Sequence, residues 1–161
     1  MISRLRPVTF LYKTLRKPKE EEFLLSIRAQ DDLYMAPANK KGIFKLQRVL
    51  SNHGAVGILP DQYPGGQGGI LSPFFGYDAQ TMTLLVKLAR KNGAKVVMAW
   101  CERLGKGEGY ELNFQVVDVL SESGELEADV LLMNQAIEYL VKTQPEQYLW
   151  NYKRFKSVID Y

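Results

Sequence analysis

The pattern of apolar and polar positions alternates between short strands and amphipathic helices. Continuous apolar runs predict buried strands at residues 8–13, 33–35, 55–59 and 94–100. Residues 110–117 alternate as a more exposed or edge strand would. Apolar residues at helical spacing predict helices at 19–29, 40–52, 79–91 and 127–143. This order favours one α/β domain over residues 1–161, with a mostly parallel or mixed sheet flanked by helices.

The stretch at residues 55–76, AVGILPDQYPGGQGGILSPFFG, is the strongest candidate for a site. Its strand ends at Pro60, and the polar side chains of Asp61 and Gln62 follow directly. The loop after them holds four glycines, which let a backbone approach a ligand: Gly65, Gly66, Gly68 and Gly69. Ligands of open α/β sheets bind at the carboxyl ends of strands. The alternative is an ordinary strand followed by a surface loop.

Two nucleotide-binding motifs and a thiolate metal site are excluded by the sequence. No Gly-Lys-Ser/Thr follows the glycines, as a P-loop requires, and the glycine spacing differs from the dinucleotide fingerprint. The single cysteine, Cys101, excludes an intrachain disulfide and a cysteine-rich metal site.

Composition and charge place the chain among globular proteins. It has 161 residues, of which 46% are hydrophobic and 24% charged, enough to bury a core. The net charge of +3 gives only a mild preference for anionic partners, so nucleic-acid binding is not expected. No apolar run approaches the ~20 residues that span a bilayer, which predicts a soluble or membrane-peripheral chain.

One histidine, His53, limits the available catalytic chemistry. It lies in Ser51-Asn52-His53-Gly54, a sequence typical of a helix C-terminus. The residue five positions later is Ile58, so no carboxylate stands at the spacing of a His-x-x-x-x-Asp/Glu pair. The sequence therefore predicts a structural role for this histidine.

Three segments, in order, resemble one protein family. They are LPDQ with the glycine-rich loop and PFFG, then NQAIEYL with Asn134 and Glu138, then PEQYLWNYKRFK near the C-terminus. Together they resemble the lipid A biosynthesis lauroyl/myristoyl acyltransferases, the late acyltransferases of lipopolysaccharide assembly. The resemblance extends from Val8 to Lys156.

The resemblance implies a fold, a reaction and a location. The fold is a glycerolipid-acyltransferase-like αβα sandwich. The reaction transfers a fatty acyl group from acyl carrier protein to a hydroxyl of a Kdo-bearing lipid A precursor, with acyl-ACP or acyl-CoA as co-substrate and no metal or other cofactor. The place is the cytoplasmic face of the inner membrane. In the family, a histidine of a His-x-x-x-x-Asp/Glu motif acts as general base on the acceptor hydroxyl.

This chain resembles only the C-terminal half of such an enzyme. The catalytic motif and the membrane-anchoring helix of the family lie before the first strand, so we expect a domain truncated at its N-terminus. We therefore expect the chain to be inactive alone and peripheral to the membrane. The alternatives are a non-catalytic remnant that binds lipid or carrier protein, and an acyltransferase for another glycolipid.

The resemblance assigns substrate contacts to six residues. Arg16 matches a basic position that would contact phosphate or sugar-acid groups. Asp61 and Gln62 match an Asp-Gln pair beside the acceptor site, where Asp61 either holds the glycine-rich loop in place or hydrogen-bonds a glucosamine group. The closing Phe74, Phe75 and Gly76 match a Phe-Phe-Gly that packs the loop against the acyl groove.

The C-terminal cluster allows two interpretations. In the first, aromatic and basic side chains face lipid headgroups, as interfacial residues do: Trp150, Lys153, Arg154 and Lys156. Alternatively, Tyr148, Tyr152 and Phe155 fall at helical spacing and dock a last helix on the core.

Overall fold

The computed structural model describes residues 7–28, 32–65, 68–156 and 158–159. The chain divides into two compact units, Met1–Leu59 and Pro60–Tyr161, called unit 1 and unit 2 below. The expectation of a single domain over residues 1–161 stays a prediction. The predicted helix end at Ala29, and Gly66 of the glycine loop, lie outside the described residues.

Unit 1 is a parallel three-stranded sheet with two helices. The strands are β1 (Val8–Tyr12), β2 (Leu33–Pro37) and β3 (Ala55–Gly57), in the order β2-β1-β3. Val8 of the central strand pairs with Leu33 on one side and Ala55 on the other. Helix α1 (Pro18–Arg28) connects β1 to β2, and α2 (Lys40–Ser51) connects β2 to β3. All pairs in this sheet are parallel, whereas the sequence led us to expect a mostly parallel or mixed sheet.

The two helices of unit 1 differ in how they pack. Helix α2 begins at Asn39, whose side-chain oxygen accepts a hydrogen bond from the Gly42 N–H at 3.1 Å. It ends near His53, which adopts a left-handed φ of 56°, so the predicted helix C-terminus is confirmed. Helix α1 buries no residue, and the predicted apolar face is open to solvent, with Phe23 67% and Ile27 54% exposed.

The described part of unit 2 contains two antiparallel hairpins, two helices and one 3-10 turn. Its elements are β4 (Gly69–Phe74), β5 (Tyr77–Met82), α3 (Leu84–Asn92), β6 (Val96–Arg103), β7 (Tyr110–Val117), α4 (Leu126–Thr143) and the turn Pro145–Gln147. Strand β4 pairs with β5, and β6 pairs with β7.

The hairpin β4–β5 corrects two predictions. Residues 69–74 form a strand within the predicted loop, and residues 79–82 form a strand where a helix was predicted. The prediction of a helix from residue 79 was wrong because residues 79–82 also alternate as a strand does. In the hairpin Ala79 and Thr81 are fully buried, and their neighbours are exposed or half-buried. Tertiary pairing overrode local periodicity here.

The core of unit 2 lies between α4 and the hairpins. Its buried members are Phe74, Ala79, Val86, Met98, Val119, Val130, Met133, Ile137 and Val141. The predicted last helix over residues 146–156 is absent from this described segment, which follows the 3-10 turn with further turns. Its backbone N–H groups bond two or three residues back, as from Trp150 to the Tyr148 carbonyl at 2.9 Å.

The α/β class is confirmed. The described strands form one parallel sheet of three strands and two antiparallel sheets of two. The sandwich of glycerolipid acyltransferases stays a prediction.

Candidate functional site

The turn between β4 and β5 is held by helix α4. Its two residues, Phe75 and Gly76, have φ angles of 50° and 79°, as in a type I′ turn. Glycine adopts this conformation freely, whereas phenylalanine rarely does. The Phe75 N–H donates to Glu138 Oε1 at 2.7 Å, a charge-assisted bond that stabilises the strained position. Lys142 Nζ lies 3.6 Å from Glu138 Oε2 and 5.6 Å from the Phe75 ring centroid.

One turn earlier on α4, Asn134 ties both strands of the hairpin together. The side chain is fully buried and donates to the Pro73 carbonyl at 2.8 Å and to Thr81 Oγ1 at 3.1 Å. A buried amide that satisfies groups on both strands fixes their register. Asn134 and Glu138 of NQAIEYL thus hold the hairpin rather than a ligand.

Arg154 holds the same hairpin from the C-terminal segment. Its Nη1 donates to the Gln80 carbonyl and its Nη2 to Thr81 Oγ1, both at 2.7 Å. The guanidinium carbon lies 5.2 Å from the Phe74 ring centroid. Only 2% of Arg154 is exposed, and its two Nη groups donate to β5, so the expectation that it faces lipid headgroups is wrong. Burial lowers the pKa of this guanidinium.

The polar cluster beneath the hairpin is not fully paired. Arg154 Nε and Ser72 Oγ are both buried and have no hydrogen-bond partner among the described residues. Within those residues no carboxylate reaches ion-pair distance of the guanidinium. Asp61 acts on it through its charge, favouring the charged arginine. Asp61 is thus a counter-charge for Arg154 without direct contact.

Asp61 itself is held by a tyrosine of the same C-terminal segment. Burial, followed by the charge of Asp61 and a hydrogen bond to it, raises the pKa of Tyr148 to about 12. The neighbouring Tyr152 hydroxyl accepts from the Tyr63 N–H at 2.7 Å. Two tyrosines therefore fix the start of the loop, Asp61-Gln62-Tyr63. We call Asp61, Tyr148, Tyr152 and Arg154 the Asp61 cluster.

The predicted substrate residues fall into three groups. Asp61 belongs to the cluster, and Gln62 next to it is exposed. Phe74 is 1% exposed and belongs to the core, while Phe75 and Gly76 form the turn. Arg16 lies in unit 1, exposed in the bend that follows β1. Because the strand order is β2-β1-β3, that bend lies at the switch point where open α/β sheets bind ligands.

The remaining C-terminal aromatics divide between core and surface. Tyr148 and Phe155 pack against the core of unit 2, and Tyr152 is half-buried, which confirms core packing without the expected helix. Trp150 is 55% exposed, with its ring centroid 5.6 Å from that of Phe75. Lys153 and Lys156 are exposed.

Comparison with known proteins decides the family. A model of the bacterial lipid A biosynthesis acyltransferase family matches residues 1–157. The chain belongs to this family.

Individual lipid A acyltransferases match parts of the chain. The lipid A biosynthesis lauroyltransferase of Escherichia coli K12 is 28% identical over 120 residues, 74% of this chain and 39% of that protein. The lipid A biosynthesis palmitoleoyltransferase of the same strain is 32% identical over 110 residues, which are 68% of this chain and 36% of that protein. A lipid A biosynthesis acyltransferase of Haemophilus influenzae is 30% identical over 147 residues, which are 89% of this chain and 44% of that protein. The chain thus spans less than half the length of these relatives.

The cluster can bind a polar ligand by hydrogen bonds and charge. Asp61 can accept a hydrogen bond from a hydroxyl or amide group of a ligand, whereas the Nη groups of the buried Arg154 already bond to β5. Within the described residues, no group of three His, Cys, Asp or Glu side chains could hold a metal ion. No helix in the described ranges is long and apolar enough to cross a bilayer.

Tyr148 and Tyr152 are the functional candidates that sequence reasoning missed. Both stand in PEQYLWNYKRFK, the third segment of the resemblance, but their helical spacing suggested only core packing. No local pattern pairs them with residues 61–63, about 90 positions earlier. The signal that could have indicated this pairing is that the Asp-Gln pair and PEQYLWNYKRFK both belong to the motifs of one family.

Proposed function

We propose that this chain is the part of a lipid A biosynthesis acyltransferase that binds the lipid A precursor. The complete reaction would transfer a fatty acyl group from acyl carrier protein to a hydroxyl of that precursor. The observation that carries the proposal is the convergence of the three family segments on one place. The α4 and C-terminal segments brace the β4–β5 hairpin, and Tyr152 of the C-terminal segment also bonds Tyr63 at the start of the loop, next to Asp61 and Gln62.

The roles of the residues follow from their surroundings. Asp61, oriented by Tyr148, accepts a hydrogen bond from a hydroxyl or amide of the glucosamine disaccharide. Gln62, exposed beside it, offers a second donor and acceptor. Arg16 contacts a phosphate or sugar-acid group, for which a guanidinium is well shaped. Phe75 and Gly76 set the turn that supports the loop's far end.

The general base of the family is the histidine of a His-x-x-x-x-Asp/Glu motif, and these 161 residues do not contain that motif. His53 ends α2, with Ile58 five positions on. Loss of a general base typically lowers a rate by about 10²–10⁴. We therefore expect the chain alone to bind the acceptor without acyl transfer.

Membrane association would be peripheral, at the cytoplasmic face of the inner membrane. Trp150 and its neighbour Leu149 are 55% and 63% exposed, beside the exposed Lys153 and Lys156. Each cation near an anionic surface adds about 1 kcal/mol. Replacing both lysines with Gln should weaken binding to anionic vesicles, and unchanged binding would contradict this assignment.

The experiment is acceptor binding by matched carboxylate variants. Detergent micelles containing a Kdo-bearing lipid A precursor are titrated into wild-type chain, Asp61→Asn and Asp78→Asn, an exposed carboxylate of the same unit. We expect Asp61→Asn to weaken binding about tenfold, the effect of losing one charged hydrogen bond, and Asp78→Asn to change it little. Equal affinity of wild type for micelles with and without precursor would overturn the proposal. Tighter binding of a mannosylated phosphatidylinositol would assign another glycolipid, and acyl transfer by the wild-type chain would refute its inactivity.

A further inference from the structure

Helix α2 carries more positive charge than the whole chain. It contains Lys40, Lys41, Lys45 and Arg48 and no acidic residue, a net charge of +4. The chain as a whole has a formal net charge of +3. The other residues together therefore carry −1, the difference between +3 and +4. The basic character of this protein is concentrated on one helix of 12 residues.

Packing against the sheet determines which side of α2 faces outward. The helix lies on all three strands of unit 1 and buries Gly42 and Leu46. Gly42 is close to the Pro37 carbonyl, and a Cβ atom at this position would overlap it. The helix is therefore fixed in rotation. Residues at i, i+3, i+4 and i+7 on its outer side form one stripe: Lys41, Phe44, Lys45 and Arg48, called the α2 stripe.

The stripe combines three cations with one large apolar side chain. Phe44 is 69% exposed and borders a surface depression of about 400 Å³ together with Gln47 and Arg48. Lys45 Nζ donates to the Met35 carbonyl at 3.1 Å and lies 5.9 Å from the ring centroid of the half-exposed Tyr34. This bond keeps the lysine beside the helix rather than extended into solvent.

The charges of the stripe are not neutralised within the protein. Lys41 and Lys45 stand four residues apart and Lys45 and Arg48 three apart, spacings at which like charges repel. No carboxylate of the described residues forms an ion pair with any of them. The stripe thus weakens its own helix, and an external anionic surface would relieve this repulsion.

We propose that the α2 stripe docks an acidic protein surface, with Phe44 as its apolar anchor and the three cations around it. The partner class is a protein that presents carboxylates. Its identification with the acyl carrier protein of the reaction rests on the proposed function. Protein interfaces commonly combine an aromatic anchor with charges that steer association.

A protein partner fits the stripe better than a lipid bilayer does. Helices that bind a bilayer surface insert a wide apolar face. The apolar side of α2 already packs on the sheet, and Phe44 is the one apolar side chain of the outward stripe. The outward side of α2 is therefore mostly cationic, and a partner would bind it through complementary charge more than through burial of apolar area.

The test measures binding of one probe to charge-matched variants. Fluorescently labelled lauroyl–acyl carrier protein is titrated with the full chain at about 50 mM salt, where surface charges are weakly screened. Lys41→Glu/Lys45→Glu is compared with Lys87→Glu/Lys91→Glu on α3, an exposed lysine pair with the same spacing. Lys41→Gln/Lys45→Gln removes charge without adding acid, and Phe44→Ala removes the anchor. Circular dichroism verifies that each variant is folded.

The stripe predicts a graded loss of affinity. Charge reversal on α2 should weaken binding about tenfold or more, neutralisation less, and Phe44→Ala about threefold to tenfold. Charge reversal on α3 should change affinity less than about twofold. An equal loss for both reversed pairs, or no binding by the wild type, would overturn the proposal. Anionic vesicles that lose affinity for the α2 variants while the carrier protein does not would assign a lipid partner instead and also overturn it.

Precursor binding separates this proposal from the proposed function. The α2 variants should bind lipid A precursor micelles as the wild type does. If carrier binding depends on the stripe but no precursor binds, the docking surface stands and the acceptor assignment fails. If the precursor binds and the carrier does not, the docking surface fails alone.

Discussion

The two hairpins of unit 2 are built alike and stabilised differently. In β4–β5, Ser72, Phe74, Ala79 and Thr81 are buried, and polar side chains from α4 and the C-terminal segment bond the strands directly. In β6–β7, Met98 is the only buried residue. The opposite face of that hairpin is apolar and exposed, with Phe114 45% and Val116 66% open. Its end is attached through Gln147, which bonds both backbone groups of Arg103.

The difference shows where the family motifs act. Asn134, Glu138 and Arg154 all support β4–β5, the hairpin that follows the Asp61 loop. Among the described residues, no side-chain hydrogen bond links these three to β6–β7, whose end is attached by the Gln147 amide. Polar networks give a unique arrangement that apolar contacts alone do not. A loop that positions a carboxylate needs such a fixed support.

Removing the arginine should have the largest effect. Arg154→Ala leaves the Gln80 carbonyl and Thr81 Oγ1 without their donors and opens a cavity beside Phe74. We expect about 2–3 kcal/mol of destabilisation, against less than about 0.5 kcal/mol for Arg103→Ala on the exposed end of β6. Urea denaturation followed by tryptophan fluorescence measures this, since both tryptophans lie in unit 2. Similar stability of the two variants would contradict the comparison.

Removing the Glu138 carboxylate should have the second-largest effect on stability. Glu138→Ala removes the acceptor of the Phe75 N–H while φ at Phe75 stays left-handed, which should cost about 1.5–3 kcal/mol. Glu138→Gln keeps an acceptor oxygen and should lose less than half of that. The same denaturation measures both variants. If Glu138→Gln destabilises the protein as much as Glu138→Ala does, the charge of Glu138, and not its hydrogen bond to the Phe75 N–H, stabilises the turn.

The exposed face of β6–β7 should be the most tolerant. Substituting Val97, Phe114 and Val116 with Thr keeps strand-forming residues and should change stability by less than about 0.5 kcal/mol per site. It should also reduce binding of a hydrophobic dye, because the face presents adjacent apolar side chains. A loss of several kcal/mol would mean that this face packs against something within the chain.

The sequence predicts unit 1 better than it predicts the hairpin of the site. Local sequence patterns are sufficient to predict its strands, which are continuous apolar runs, and helix α2, which Asn39 caps. They are not sufficient for residues 79–82, because Ala79 lies at helical spacing from Met82 and at strand spacing from Thr81. Only their burial against α4 distinguishes the two. The same limit hid the turn at Phe75, whose left-handed backbone depends on an acceptor 63 residues away.

At the site, sequence indicated residues but not their partners. Asp61 and Gln62 stood out after a strand end. The C-terminal basic residues looked equivalent, yet Arg154 is buried while Lys153 and Lys156 are exposed. Composition cannot separate adjacent cations when long-range contacts decide which one enters the core.

The most direct test of the account is the titration of Tyr148. With 13C-labelled tyrosine assigned by Tyr148→Phe, NMR should give a phenol pKa of about 12 in the wild type and a lower pKa in Asp61→Asn. Because the folded pKa exceeds the ordinary 10.0, the contribution of Tyr148 to stability is complete below pH 10 and is lost as pH rises through about 12. A phenol titrating near pH 10, unchanged by Asp61→Asn, would show that the C-terminal segment does not hold Asp61.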